Sequence, residues 1–386
     1  MRNIQFLIFF GIVISIHLLI NFYIFSRGLR TFEPGSQIRT IYIIIYWFLA
    51  LSYIVGRVLE RYYLCKISDF LTWTGSFWLA AMLYLFLIVV SFDLARLVNH
   101  FIPFFNKLLP ISLLQKPYFL TYFVGAVVFL LIAIGHLNAI FPRTHFVNID
   151  LEGKITNQKQ LKIAMVSDIH LGTIVANIRT QRIVNLINAT NPDVILLAGD
   201  IVDEDLSPVI KRNLGKTLTQ LKAPLGVYGI TGNHEYIGGV EPAVKYLEDH
   251  GIKVLRDTMI ELVENVYVAG REDIQGHRFG GKPRKSLKDI IQQKNDSSTI
   301  ILLDHQPAAI NEAIQNQIDL MLSGHTHHGQ LWPLNYITKA VYLVSWGSKK
   351  FENTHVYVSS GIGSWGPPVR IGNRPEVVVI TLNFNK

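Results

Sequence analysis

The chain contains little cysteine and little charge for its length. Cys65 is the one cysteine among 386 residues, so no disulfide can form within the chain. Charged residues make up 17% of the sequence and hydrophobic residues 50%. These proportions exclude an ordinary soluble protein of this size and favour a chain that is partly embedded in a bilayer.

Acidic residues are scarce in the first part of the chain. Residues 1–147 contain 11 lysines and arginines but only 4 aspartates and glutamates, whereas the remainder contains 25 and 24. The basic excess therefore lies between apolar runs, which is typical of segments that flank a membrane. A nucleic-acid surface would need basic residues clustered in the polar part of the chain, where the charges balance. We expect the lipid bilayer as a partner and no nucleic-acid polymer.

Four long apolar runs account for the high hydrophobic content. Each run is close to the ~20 residues that a helix needs to cross the hydrocarbon core of a membrane. We predict an N-terminal all-α transmembrane region with four helices in residues 1–147, and a buried helical core is the alternative. The runs are Ile4–Phe25, Ile38–Val55, Phe70–Phe92 and Tyr118–Phe141.

The composition becomes polar between residues 138 and 160, where Pro142 and Gly153 occur. We therefore place a domain boundary in this segment and assign residues 148–386 to a second domain.

Strand-length apolar runs in the second domain end in acid, amide or imidazole side chains. Helical patterns over residues 178–189 and 241–250 separate some of these runs, which indicates an α/β sheet. Side chains just past the strand ends of such sheets converge on one crevice. The runs are LKIAMVSDIH, VILLAGD, GVYGITGNHE, TIILLDHQP and DLMLSGHTHHG.

The side chains at these five strand ends have the chemistry of metal ligands. Carboxylate, amide oxygen and imidazole donors together suit divalent cations such as Mn, Fe or Zn. Any one of them alone is more simply explained as a surface or core residue, but five such strand ends indicate a site. The residues are Asp168, His170, Asp200, Asn233, His234, His305, His325 and His327.

The five blocks resemble the signature of the calcineurin-like metallophosphoesterase superfamily, which is D-x-H, G-D, G-N-H-[DE], a lone His and G-H-x-H. The likeness covers about residues 160–386, and DHQP, SGHTHHGQLWP and SSGIGSWGPPVR are most similar to bacterial transmembrane members. The matching blocks are Asp168-Ile169-His170, Gly199-Asp200, Gly232-Asn233-His234-Glu235, His305 and Gly324-His325-Thr326-His327.

The resemblance implies an α/β metallophosphoesterase fold of two mixed β-sheets sandwiched by helices. The late apolar runs 355–359 and 377–382 would then belong to the second sheet. The resemblance also implies a multi-pass protein of the bacterial inner (cytoplasmic) membrane. Basic residues flank both sides of the runs in similar numbers, so charge bias does not decide the orientation. We take a cytoplasmic catalytic domain as the expectation.

The resemblance further implies two divalent metal ions. One would be held by Asp168, His170, Asp200 and His327, and the other by Asp200, Asn233, His305 and His325. A hydroxide that bridges the metals would attack phosphorus. His234 would be the general acid, and Asp203 would hold its ring, although a solvated loop acid is the alternative for Asp203.

The resemblance points to hydrolysis of phosphodiester or pyrophosphate bonds. Glu204-Asp205 follows Asp203, where the family's protein phosphatases have Arg-Gly, and this puts a protein phosphatase role in doubt. The membrane region favours a lipid-linked substrate, and the resemblance suggests UDP-2,3-diacylglucosamine, as in some relatives. The alternatives are a non-catalytic metal-binding scaffold and a receptor or transporter with a regulatory domain. The basic stretch 277–288 is either a loop that contacts an anionic head group or a solvated loop.

Overall fold

A computed structural model describes residues 2–102, 117–279, 283–292, 295 and 297–385. The chain divides into two compact units, Met1–Gly135 and His136–Lys386. The predicted boundary after residue 147 falls within a strand that begins at Arg143.

The first unit is built from long helices. In the described part of the chain, four helices are long and apolar enough to cross a membrane. Many of their large apolar side chains are exposed, as expected for surfaces that face lipid. The helices are α1 (Arg2–Leu29), α2 (Gln37–Tyr62), α3 (Lys66–Phe101) and α4 (Pro117–Ile140).

Several buried polar side chains of this unit bond to one another or to nearby carbonyl oxygens, although Thr72 Oγ1 and Ser76 Oγ have no partner among the described residues. His17 Nε2 lies 2.8 Å from the Ala50 carbonyl oxygen, and Trp78 Nε1 donates to Asn21 Oδ1 over 2.9 Å. Tyr46 donates from its hydroxyl to the Asn21 carbonyl over 2.8 Å. Such bonds between helices replace the water that a membrane interior lacks.

The first sheet of the second unit has six strands in the order β1-β12-β2-β3-β4-β5. Strands β2, β3 and β4 run parallel, and β12 is antiparallel to β2 but parallel to β1. The strands are β1 (Arg143–Glu152), β2 (Gln160–Val166), β3 (Val194–Leu197), β4 (Val227–Gly229), β5 (Lys253–Val254) and β12 (Glu376–Asn385).

The second sheet also has six strands, in the order β10-β11-β9-β8-β7-β6. Strands β7, β8, β9 and β11 run parallel, and the two edge pairs are antiparallel. The strands are β6 (Thr258–Val263), β7 (Val266–Gly270), β8 (Thr299–Leu303), β9 (Leu320–Ser323), β10 (Gly347–Phe351) and β11 (Thr354–Val358).

Helices connect the strands and cover the outer faces of both sheets. The longest, α5, packs its apolar side on the first sheet, and α10 packs on the second. The helices are α5 (Asn177–Ala189), α6 (Leu206–Lys211), α7 (Asn233–Gly238), α8 (Val240–Asp249), α9 (Leu287–Ile290), α10 (Ile310–Gln315) and α11 (Asn335–Val341), with 3-10 turns at Leu214–Gln220, Gly276–Phe279 and His327–Gly329.

The core of this unit lies between the two sheets. Met165 and Leu196 of the first sheet pack with Val268, Ile301 and Leu322 of the second, and all five are fully buried. Strands β3, β8 and β9 are buried along their whole length, which explains why they read as continuous apolar runs rather than as alternating ones. The predicted fold of two mixed sheets with flanking helices is confirmed.

One strand assignment from the sequence is wrong. The run 355–359 lies largely in β11 of the second sheet, as predicted, but the run 377–382 lies in β12 of the first sheet. Hydrogen bonds to β1 on one side and to β2 on the other hold β12 there. An apolar run that is buried on both faces fits the interior of either sheet, so its sequence does not specify a partner.

Candidate metal centre

The predicted ligands follow the carboxyl ends of parallel strands in both sheets. Asp168 follows β2 and Asp200 follows β3, while Asn233 lies beyond β4 at the start of α7. His305 comes two residues after β8, and His325 comes two residues after β9. Because the strands run parallel within each sheet, these ends form one edge. We call it the ligand edge.

One group of donor atoms combines Asp168, His170 and His327. His170 Nε2 lies 3.0 Å from His327 Nε2, and His327 Nε2 lies 3.5 Å from Asp168 Oδ1. Two nitrogens bound to one ion at ~2.1 Å and at right angles would stand ~3 Å apart. The spacing of these side chains therefore fits a shared cation.

A second group combines Asp200, His305 and His325, whose donor atoms lie within 4.8 Å of one another. His305 Nδ1 lies 2.7 Å from the Ala198 carbonyl oxygen, so this nitrogen carries a proton. Without a second ring proton, His305 Nε2 would turn a lone pair toward Asp200 Oδ2, 3.1 Å away. A second ring proton or a cation between these two acceptors would satisfy the arrangement.

Asp200 lies between the two groups. Its Oδ2 is 3.1 Å from His305 Nε2 and 3.9 Å from His170 Nε2. Its Oδ1 accepts the backbone N–H of His234 over 2.9 Å, which fixes the orientation of the carboxylate. One oxygen of Asp200 thus faces an imidazole from each group.

Asn233, which directly precedes the backbone N–H that binds Asp200, adds an amide oxygen. Its Oδ1 is buried and makes no hydrogen bond with the residues that the structure describes. An unmet acceptor in a buried place costs free energy unless a ligand satisfies it, so this oxygen also fits a cation.

His234 forms a third group with two carboxylates. Its Nδ1 lies 3.2 Å from Asp203 Oδ1 and 2.9 Å from Glu204 Oε2. The predicted contact with Asp203 is present, but Glu204 is closer and was not predicted as a partner. Glu204 was noted from the sequence only as a departure from the protein phosphatase pattern, and its position next to Asp203 was the available signal.

The electrostatics of the site are set by burial and by these carboxylates. Burial lowers the pKa of His170 to about 3 and that of His325 to about 3, so both imidazoles are neutral, which is the form that ligates metals. Burial raises the pKa of Asp168 to about 6. Burial works to lower the pKa of His234, but Asp200, Asp203 and Glu204 outweigh it and raise that pKa well above its usual value.

The backbone that carries the ligands is strained. The φ angles of Asp168, His170, Asp200, His325 and His327 lie between 45° and 69°, in the left-handed region. Each such residue costs roughly 1–3 kcal/mol and persists only where surrounding structure enforces it, which is typical of functional sites.

Glu235 enforces the conformation of the loop at Asp200. Its buried carboxylate accepts the backbone N–H groups of Gly232, Ile201 and Val202 over 2.7, 2.7 and 2.9 Å. The acidic residue that ends the G-N-H-[DE] block therefore joins the loop after β3 to the loop after β4. The sequence placed this residue in a block but did not assign it a role.

Arg370 positions the loop that carries His327 and was not predicted. Its guanidinium is fully buried and donates to the carbonyl oxygens of Ser360 and Gly363 over 2.6 and 2.8 Å. It also donates to the His327 carbonyl over 3.3 Å and to His327 Nδ1 over 3.0 Å. PPVR in the last quoted motif was the available signal.

Within the basic stretch 277–288, Arg284 differs from both sequence interpretations, whereas His277, Arg278 and Lys288 are exposed. Arg284 is almost buried and donates to Asp304 Oδ1 over 3.0 Å, and the Lys285 backbone N–H donates to Asp257 Oδ2 over 2.7 Å. Arg284 is therefore a largely buried ion-pair partner rather than a solvated or lipid-binding side chain. Residues 280–282 lie outside the described part.

Known proteins that are similar to this chain are metallophosphoesterases, which agrees with the metal-type ligands clustered at the site. A family profile described as calcineurin-like phosphoesterase matches residues 161–329. The chain is 32% identical over 255 residues to a metallophosphoesterase of Aquifex aeolicus (strain VF5), covering 66% of this chain and 96% of that protein. It is 30% identical over 389 residues to a metallophosphoesterase of Campylobacter jejuni, covering 99% of this chain and 100% of that protein.

A eukaryotic relative matches part of the chain. The chain is 35% identical over 254 residues to a Danio rerio protein named "Transmembrane protein with metallophosphoesterase domain", covering 62% of this chain and 57% of that protein. Three findings indicate the same family: the clustered metal-type ligands, the helices that can cross a membrane, and these relatives. The chain belongs to the calcineurin-like metallophosphoesterase family and is a metal-dependent phosphoester hydrolase.

Proposed function

We propose that the chain hydrolyses phosphodiester or pyrophosphate bonds with two divalent cations, Mn, Fe or Zn, and that its natural substrate is linked to a lipid. The position of Asp200 carries the proposal for two cations. Its Oδ2 faces imidazole nitrogens of two separate donor groups, and a carboxylate can hold two cations ~3.5–4 Å apart.

The donor groups supply the proposed ligands. Asp168, His170, Asp200 and His327 would hold the first cation. Asp200, Asn233, His305 and His325 would hold the second cation.

These ligands favour an anionic substrate. Cations bound here would neutralise phosphoryl oxygens and acidify a water molecule. Because Asn233 is neutral, the second group contains fewer negative charges to repel a phosphoester.

His234 is the proposed general acid. Asp203 and Glu204 flank its Nδ1 at 3.2 and 2.9 Å, so they orient the ring and favour its protonated form. The ring can then deliver a proton from Nε2 to the leaving oxygen, which departs poorly as an alkoxide.

The substrate proposal rests on the membrane region and on what surrounds His234. Glu204 contributes a negative charge where a protein phosphatase of this family has an Arg to grip phosphate. A chain with four helices that can cross a membrane keeps its second unit, which we call the catalytic unit, beside lipids. A lipid-linked pyrophosphate fits both features, and UDP-2,3-diacylglucosamine serves as the probe. We also propose the bacterial inner membrane, with the catalytic unit on the cytoplasmic side.

The test uses the full-length chain in nanodiscs with Mn²⁺. We expect hydrolysis of a chromogenic phosphodiester that stops on chelation, and a kcat/KM for UDP-2,3-diacylglucosamine at least ~10-fold above that for the deacylated nucleotide sugar, since tethering raises the effective concentration of lipid substrates. Equal values would refute the lipid proposal alone. No phosphoester hydrolysis by metal-loaded protein would refute the whole proposal.

A further inference from the structure

Large apolar side chains are exposed beside the metal centre. They lie on α11 and on the segments that flank it, and α11 has no buried residue. Ile337 is 60% exposed and Val341 is 66% exposed. We call this set the α11 surface, and it comprises Trp332, Tyr336, Ile337, Val341, Leu343 and Trp346.

The helical part of this surface is continuous. At 3.6 residues per turn, Tyr336, Ala340, Ile337 and Val341 follow one another around the helix within an arc of ~140°. A stripe of this width normally packs on a core. Here all four residues face outward, which is how an interaction surface differs from scattered surface apolar residues.

The charged side chains within the segment that carries the α11 surface are basic, although the buried Glu376 accepts a hydrogen bond from Trp346 Nε1 over 3.1 Å. From Gln330 to Phe351 the sequence contains three lysines and no acidic residue. Lys339, Lys349 and Lys350 are all exposed, and the ammonium of Lys339 lies 6.0 Å from the centre of the Tyr336 ring. Exposed Trp, Tyr and aliphatic residues with lysines at their border are the composition of surfaces that lie in a membrane interface.

The α11 surface is joined to the metal centre. The Trp346 ring packs 5.4 Å from the ring of His328, which adjoins the proposed ligand His327. Thr326 Oγ1 donates to the Ser345 carbonyl over 2.6 Å. These contacts run directly from the G-H-x-H block into the segment after α11.

The chain also enters the catalytic unit at this edge. Only Phe141 and Pro142 separate α4 from β1. Arg143 pairs with Glu376 at the start of β12, and β12 runs antiparallel to β2. The first residue of β1 therefore lies at the ligand edge, and a two-residue connection spans at most ~10 Å.

We propose that the α11 surface inserts into the interface of an anionic lipid bilayer and so holds the metal centre next to lipid head groups. Binding to the bilayer is independent of the substrate, whereas its consequence for a lipid-linked substrate rests on the proposed function.

The test measures depth in the membrane. In a full-length Cys65→Ser background, Ile337→Cys is labelled with an environment-sensitive fluorophore in nanodiscs that contain anionic phospholipid with a shallow acyl-chain quencher. Ile155→Cys is the matched control, because Ile155 is 65% exposed and lies beyond the opposite end of β2. For a surface that enters ~5–10 Å into the interface, we expect roughly half of the emission at position 337 to be quenched. Emission at 155 should be unchanged.

Equal quenching at both positions, or none at either, would overturn the proposal. Quenching of position 337 that needs a second copy of the chain, seen as loss when protein is diluted to one chain per nanodisc, would assign the surface to an oligomer instead.

A second measurement separates docking from the substrate proposal. We expect Ile337→Glu with Val341→Glu to abolish the quenching of a label at Leu343→Cys. The same pair should lower kcat/KM for a lipid-linked substrate by ~10-fold while leaving the soluble diester within twofold, since these residues lie outside the ligands. If the pair abolishes quenching but does not change turnover of the lipid-linked substrate, the proposal that the α11 surface docks on the bilayer stands, and the proposal of a lipid-linked substrate is contradicted.

Discussion

The His17–Asn21–Trp78 cluster of the first unit (the membrane unit, Met1–Gly135) and the ligand edge of the second unit (the catalytic unit, His136–Lys386) bury polar side chains in opposite ways. In the membrane unit, His17, Asn21 and Trp78 satisfy one another and nearby carbonyls. At the ligand edge, the acceptor on Asn233 has no partner among the described residues, and His305 Nε2 faces a carboxylate oxygen. The difference indicates that the first set stabilises its own fold, and it supports the proposal that the second set holds a ligand.

We expect the largest effect from a substitution at Asp200, because both donor groups share this residue. We expect Asp200→Ala to lower kcat for a chromogenic diester by at least ~10³-fold, since several kcal/mol of charge stabilisation are lost with the cations. Elemental analysis of the same sample should find little bound metal. Asp249→Asn, an exposed acid on α8, is the control and should keep full activity. Normal activity of Asp200→Ala would exclude its role as a shared ligand.

The removal of His234 tests the chemistry without removing a ligand. We expect His234→Gln to lower kcat by ~10²–10⁴-fold for an alkyl diester, whose leaving oxygen needs a proton. The loss should be much smaller for a nitrophenyl diester, because its leaving group departs unprotonated. Bound metal should not change. Equal losses on both diesters would contradict the role of a general acid.

The two carboxylates next to His234 can be ranked. Glu204 is the closer one, so we expect Glu204→Gln to lower kcat for an alkyl diester by ~10-fold or more and Asp203→Asn by less. The double variant should resemble His234→Gln. If Asp203→Asn has the larger effect, the predicted partner from the sequence is the functional one.

Arg370 is predicted to act on stability. Arg370→Met would leave several buried carbonyl oxygens without a donor, and we expect the free energy of unfolding to fall by ~3 kcal/mol. Lys245→Met, at an exposed ion pair on α8, should change it by less than ~0.5 kcal/mol. Chemical denaturation followed by tryptophan fluorescence measures both. A change near zero for Arg370→Met would mean that the neighbouring loops relax without it.

We expect the smallest effect from a substitution in the polar cluster of the membrane unit. Asn21→Leu removes a hydrogen-bond acceptor for Trp78, and we expect a loss of ~0.6–1.7 kcal/mol in the stability of the unit. Because no ligand is involved, hydrolysis of a soluble diester should be unchanged. A large loss of hydrolysis would show that the two units are coupled in a way that their separate polar networks do not indicate.

The sequence predicted the parts of this molecule that are local in the chain. Apolar runs of ~20 residues can be recognised from length and composition alone. Strand ends that finish in ligand-type residues can be recognised because the strand and its ligand are neighbours in sequence. The side chains of Asp168 and His327 are brought together by the fold, and the likeness to a family supplied that pairing.

The rest depends on tertiary packing. The partner strands of β12 could not be chosen, because a run that is buried on both faces fits either sheet. Arg370 could not be recognised as a buried donor, since arginine is usually exposed. The α11 surface could not be distinguished from a core helix, because its apolar pattern is the same whether the helix is covered or exposed.

A crystal structure of the Mn²⁺-loaded chain, with diffraction data collected at the manganese edge, tests directly whether two cations share Asp200. We expect two anomalous peaks ~3.5–4 Å apart on either side of Asp200, one against His170 and His327 and the other against His305 and His325. A single peak, or two peaks away from these side chains, would contradict a two-cation centre at Asp200.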